Sequence, residues 1–134
     1  MAYFGPFQAV YDLPISNVAV TSGSTATSAW MPASTLVGAN FWFYQASAGS
    51  PSSTITIDYT IFPLTTANAA PTIPVSGGTN YRTVTLKSAE TTKAAWQHYD
   101  TPAELEYPFL FYRINVAVAS ANATVYVGVC RNGI

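Results

Sequence analysis

Charge is what this chain lacks. From Leu13 to Ile57 there is no Asp, Glu, Lys, Arg or His, and Asp12 is the only such residue before that run. The 134 residues include five basic and six acidic side chains, whereas a soluble domain keeps about a quarter of its residues charged. Apart from Asp12 and Asp58, all of them lie between Arg82 and Arg131. The first half therefore has almost nothing with which to do acid, base or metal chemistry, and it points to a surface meant to be covered by other protein. The basic residues are scattered at Arg82, Lys87, Lys93, Arg113 and Arg131. No stripe able to neutralise several phosphates can be built from them, which excludes nucleic-acid binding.

Cysteine and histidine occur once each. With Cys130 alone no intrachain disulfide can form, so stability must come from packing or assembly. Cys130 itself reads as a small buried hydrophobe on the last strand, the alternatives being an intermolecular disulfide or a reactive thiol. Long apolar runs are missing too: the apolar stretches are short and broken by Ser, Thr, Asn or Pro, far below the roughly 20 residues a membrane helix needs. The opening Met-Ala-Tyr-Phe-Gly-Pro-Phe-Gln has neither the basic region nor the unbroken apolar core of a secretory signal.

Hydrophobic residues are plentiful, at 49% with 14% aromatic, too many for a disordered chain. The length is that of a single domain, one that buries roughly two-thirds of the surface of its unfolded form. Alternation is clearest in Ser53 to Phe62, where Ile55, Ile57, Tyr59 and Ile61 share one face and Thr54, Thr56, Asp58 and Thr60 the other. That is a half-buried strand of an antiparallel sheet. Phe109 to Val118 and Ala123 to Cys130 alternate as well, and the short Ala119-Ser120-Ala121-Asn122 link predicts a hairpin. Weaker strands are expected at Ile15 to Thr21, around Ser28 to Met31, at Phe41 to Ala46 and at Tyr81 to Leu86. Ser88 to Gln97 suggests one helical turn or a loop, and Phe62 to Pro74, with its three prolines, an extended excursion. The expected fold is all-β, an antiparallel β-sandwich of jelly-roll or immunoglobulin-like type over residues 15–134. Residues 1–14 read as an extended aromatic N-terminal arm bearing Tyr3, Phe4, Phe7 and Tyr11. It either packs back on its own sandwich or reaches onto a neighbouring subunit or a larger assembly.

The search for chemistry returns few candidates. His98, in Trp96-Gln97-His98-Tyr99-Asp100, could be oriented by Asp100 to activate a serine, yet no G-x-S-x-G elbow accompanies it, and an exposed or structurally hydrogen-bonded loop histidine is the simpler reading. Asp100, Glu104 and Glu106 could form a catalytic pair or a calcium site, but their spacing follows no calcium-loop pattern and the flanking prolines suit a solvated loop. Asn122-Ala123-Thr124 matches a glycosylation acceptor that the turn also explains. Gly77-Gly78 lacks the spacing and the lysine of a phosphate loop, and no cofactor is expected. Phe41, Trp42, Phe43 and Tyr44 place rings on both faces of one strand, which calls for burial on both sides. Trp42 and Tyr44 join the arm residues as expected assembly contacts.

Ser28-Ala29-Trp30, Ile55 to Tyr59, Lys93-Ala94-Ala95-Trp96, Pro108 through Tyr112 to Val116 and Ala121 to Val125 together make a pattern similar to the small β-sandwich structural proteins of tailed bacteriophages. The likeness covers most of the chain from Ser28 onward and contains no diagnostic motif. It implies a head decoration, or cement, protein made in the host cytoplasm and found on the virion. It also implies a homo-oligomer, often a trimer, bound to a major capsid or other virion protein. The expected function is thus non-enzymatic stabilisation of a protein lattice through apolar and backbone contacts. The alternative is a carbohydrate-binding or adhesive sandwich that uses its aromatic rings.

Overall fold

The computed structural model describes residues 8–32, 39–60, 81–106 and 111–133. Nine strands lie within them: β1 (Gln8–Val20), β2 (Thr25–Thr27), β3 (Met31–Pro32), β4 (Asn40–Ala46), β5 (Ser52–Tyr59), β6 (Arg82–Glu90), β7 (Gln97–Asp100), β8 (Phe111–Ala119) and β9 (Ala123–Gly133). A 3-10 turn, Ala103–Glu106, follows β7. The strands form two antiparallel sheets. Sheet A has the order β1-β9-β4-β7 and sheet B the order β2-β8-β5-β6, with β3 also paired to β8.

This order decides between the two expected sandwiches. Except for β2 to β3 and β5 to β6, every link between successive strands crosses from one sheet to the other. With β2 and β3 counted as two pieces of one edge, eight strands wound in this way are a jelly roll. The alternation on β5 is borne out: Ile55 and Ile57 are fully buried and Tyr59 nearly so. Across the core from them stand Phe41 and Phe43 of β4 and Val125, Val127 and Val129 of β9, with Ile114 and Val116 of β8 completing the sheet-B side.

Two expectations need correction. β8 and β9 are not a hairpin, because β8 pairs with β5 in sheet B and β9 with β4 and β1 in sheet A. Alternation fixes which face of a strand is buried and leaves its partner open. The Ala119–Asn122 link, with Ser120 at φ 71°, turns a corner between sheets instead of reversing within one. The strand expected from Ile15 starts at Gln8, so residues 8–14, read as arm, belong to β1, and Gln8 to Asp12 pair in register with β9. Alternation is broken there by register shifts between Asp12 and Ile15 and between Ile15 and Val18, with Pro14 inside the first and Asn17 at φ 54° inside the second. Bulges and edge strands are where a proline is tolerated in a sheet. The Phe62 to Pro74 excursion lies outside the described residues. No helix occurs at Ser88 to Gln97, which is the end of β6 and the link to β7.

All four sheet edges are blunted. β1 carries its two shifts, and β6 carries two more between Ser53 and Thr56 of its partner, with Ala89 at φ 52°. β7 has only four residues. The edge formed by β2 and β3 is interrupted at Ser28, which takes over the ladder: its amide donates to the Ile114 carbonyl and its Oγ accepts from the Ile114 amide, both at 2.9 Å. Such edges resist pairing with a further strand.

Candidate functional site

The two outer faces differ in chemistry. On sheet B, the register places Asp58 between Thr83 and Arg113, and Asn115 between Thr27 and Thr56. The Asp58 carboxylate, 4% exposed as a residue, accepts from Arg113 Nε at 2.8 Å, Thr83 Oγ1 at 2.6 Å and Asn115 Nδ2 at 3.0 Å. Asn115 also accepts from Thr27 Oγ1 at 2.9 Å. The Arg113 guanidinium lies over the Trp30 ring at 4.6 Å and the Tyr81 ring at 5.3 Å. Burial alone would raise the Asp58 pKa, but hydrogen bonds from Thr83, Arg113 and Asn115, with the Arg113 charge, hold it below the ordinary carboxylate value. This face is a closed polar network whose partners satisfy one another.

Sheet A presents rings instead. On β4, Phe41 and Phe43 point into the core while Trp42 and Tyr44 point outward and remain half-buried. Trp42 stands opposite His98 of β7, with ring centroids 4.8 Å apart, and opposite the buried Gly128 of β9. Tyr44 stands opposite Tyr126, at 5.7 Å, and Trp96 leans on both at 5.4 and 6.3 Å. The Tyr126 hydroxyl donates to Asn17 Oδ1 at 3.0 Å. Trp96 remains 43% exposed and, with Leu13 and Val18 of β1, is one of the large exposed hydrophobics among the described residues. All three belong to sheet-A strands or lead directly into one.

Trp96 is held there by a polar clasp. Gln45, with no exposure at all, donates from Nε2 to the carbonyls of Glu90 and Thr92, both at 3.0 Å. Its Oε1 accepts from Ser53 Oγ at 2.6 Å and its backbone carbonyl from the Ala94 amide at 2.9 Å. The Glu90 carboxylate accepts from the Tyr99 hydroxyl and, at 3.2 Å, from the Thr92 amide. Burial opposes ionisation of Glu90, and these hydrogen bonds outweigh it and lower the pKa. Burial and the neighbouring carboxylate push the Tyr99 phenol well up. The clasp ties β4, β5, β6 and β7 together across the two sheets.

The other candidates disperse. His98 is on a strand, not a loop, and its Nε2 is 4.0 Å from Asp100 Oδ1 on the same exposed edge, with no serine hydroxyl bonded to it among the described hydrogen bonds. Asp100 ends β7, Glu104 is in the 3-10 turn, and the Glu106 side chain lies outside the described residues. No group of three or more possible metal-ligating His, Cys, Asp or Glu side chains occurs among the described residues. Cys130 is on the last strand as expected, but half-buried. Tyr3, Phe4 and Phe7 lie outside the described residues, and Tyr11 lies in β1 opposite Cys130. Sequence reasoning singled out Trp42 and Tyr44 but missed that Trp96, Tyr126 and His98 join them. The register of β4 with β7 and β9 is what assembles the group, and no local pattern encodes it.

A jelly roll with one aromatic, nearly uncharged outer face is thus the class of protein the chain defines. Compared with solved structures, it is similar to chains of infectious bursal disease virus particles. The VP2 subviral particle matches with a TM-score of 0.54 and 14% identity over 96% of this chain and 34% of that one. The virus-derived T=1 particle gives 0.51 and 14% over 96% and 32%, and the Gx strain 0.50 and 12% over 96% and 33%. This chain spans about a third of the length of each. No protein-family profile matches the chain, and no curated protein does. At this identity the likeness establishes the fold, that of viral capsid β-sandwich domains. The matching structures are viral capsid proteins, not the tailed-phage decoration proteins of the expected resemblance.

Proposed function

We propose that this chain is a non-enzymatic virion structural protein, a jelly-roll subunit that binds a protein lattice on the particle and stabilises it. The observation that carries the reading is the contrast between an internally satisfied sheet-B face and an aromatic sheet-A face, on a fold shared with capsid proteins over nearly the whole chain. Contacts are apolar and come from faces and loops, since blunted edges offer little for backbone pairing. Decoration of a major capsid protein, assembly as a homo-oligomer and the trimer implied by the phage-like pattern belong to this proposal.

The test is co-sedimentation of the purified protein with capsids of the virus that encodes it, at about 0.1 M and about 1 M salt. Because few ion pairs are available to screen, the bound fraction is expected to stay constant. Absence of binding, or release at high salt, contradicts the reading. Exposure of Trp96 favours a second reading, a carbohydrate-binding module. Against an extended sugar platform, the rings are mutually tilted by 46°, 60° and 75° instead of lying coplanar. Ligand-induced quenching of tryptophan fluorescence on a glycan panel would favour that reading.

A further inference from the structure

We infer that the His98 imidazole, stacked on Trp42, makes the hold of the aromatic face on its lattice sensitive to pH, with release in acid. The inference rests on the structural role proposed above and concerns the regulation of that surface. His98 is the only histidine of the chain, and histidine is the side chain that ordinarily changes charge between about pH 5 and 8. Its ring lies 4.8 Å from that of Trp42, inclined by 52°. Its Nε2 is 4.0 Å from Asp100 Oδ1, and 39% of the His98 side chain is exposed. A proton on that ring therefore places a charge directly against the uncharged run of Trp42, Tyr44 and Tyr126.

The free chain accommodates that charge. A cation within about 6 Å of an indole ring is attracted to its face, and the exposed Asp100 carboxylate adds a weak attraction. Other titratable groups are turned elsewhere. β4, the strand paired with β7, brings only Asn40, Trp42 and Tyr44 to this face. Lys93, in the link before β7, gives its ammonium to the Gly49 carbonyl. Tyr99, on the opposite side of β7, packs against the core and donates to Glu90, and Glu104 of the following turn is exposed. A lattice surface seated on Trp42 strips water from the exposed edge of His98. The neutral ring loses little, whereas the imidazolium loses its hydration with only a distant carboxylate in exchange. Docking and protonation therefore compete, and each weakens the other equally. Asp58 and Glu90, held below their ordinary values, stay ionised from about pH 5 to 8, so the fold itself does not change over this window.

The test is co-sedimentation of the full chain with capsids at about pH 8 and about pH 5, for wild type and His98→Gln, with far-UV circular dichroism as a check on folding. Each variant is read as the ratio of its own affinities at the two pH values. Wild type is expected to bind about tenfold more weakly at the lower pH, as exclusion of one proton requires, and His98→Gln to show a ratio near one. His98→Asn takes its place if the glutamine variant misfolds or binds too weakly to measure. A second readout needs no capsid: a stacked imidazolium quenches an excited indole, so tryptophan fluorescence of the free wild type should fall on acidification, and that step should vanish in His98→Gln and in Trp42→Phe. Binding that is equal at both pH values overturns the inference and leaves the structural role standing, as does an acid release or a fluorescence step that persists without His98. Absence of binding at about pH 8 refutes the structural role and the inference with it.

Discussion

The outer faces of sheets A and B are built on the same alternation, yet they spend their outward positions differently. Sheet B sets Thr, Asn, Asp and Arg opposite one another, so that each polar group finds its partner within the sheet. Sheet A sets Trp42 against His98 and Tyr44 against Tyr126, leaving ring surface in water. A face whose groups are all satisfied contributes to folding and has little left for a partner. A face of tilted, partly exposed rings has apolar area still to bury. Substitutions on sheet B should therefore lower stability without changing assembly, and one at the exposed Trp96 of sheet A should do the reverse.

The largest effect should come from breaking the sheet-B network. Arg113→Ala removes the cation beside a buried carboxylate, and with Thr83 and Asn115 still donating to Asp58 we expect a loss of about 2–3 kcal/mol. In thermal melts that is roughly 10 °C, with assembly mass unchanged. Acid sharpens the same point. The folded state holds Asp58 and Glu90 below their ordinary values, so their contribution is complete above the unfolded carboxylate range, about pH 4, and is lost as the pH falls through the lowered folded values. Denaturant titrations should show Asp58→Asn less stable at neutral pH, with a shallower decline below about pH 4 than wild type.

Smaller effects follow on sheet A. Trp42→Lys removes the ring that stands against His98 and opposite Gly128, and chemical denaturation should report a loss of about 1–2 kcal/mol. A lysine at His98 should cost less than about 0.5 kcal/mol. At the end of the sandwich, Gly49→Ala would place a Cβ 2.9 Å from that of Ala121. The two loops must shift apart, at about 1 kcal/mol. Least of all for folding should be Trp96→Lys, within about 0.5 kcal/mol of wild type, although it removes the most exposed ring of the contact face.

The burial of individual strands was legible in the sequence, and their partnership was not. Ile55 to Tyr59, Ile114 to Val118 and Val125 to Val129 alternate as half-buried strands must, and the structure places them so. The same alternation could not say that β8 and β9 face each other across the core instead of pairing. β1 escaped notice before Ile15 because Pro14 and two bulges break its period. The short β7 was hidden in a stretch that reads as loop. Of the contact face, Trp42 and Tyr44 were visible in a run of four aromatics. Trp96 and Tyr126 were not, because only the register of β4 with its two neighbours brings them alongside. Asp58 looked like one polar position among threonines until the strand pairing set Arg113 opposite it.

Three tryptophans, Trp30 on sheet B and Trp42 and Trp96 on sheet A, report on the two faces within one molecule. Hydroxyl-radical footprinting of the assembled protein against its dissociated form therefore tests the central claim most directly. The account predicts that oxidation of Trp96 drops sharply on assembly while that of Trp30 is unchanged. Equal oxidation of Trp96 in both forms, or protection of Trp30 in its place, would contradict it.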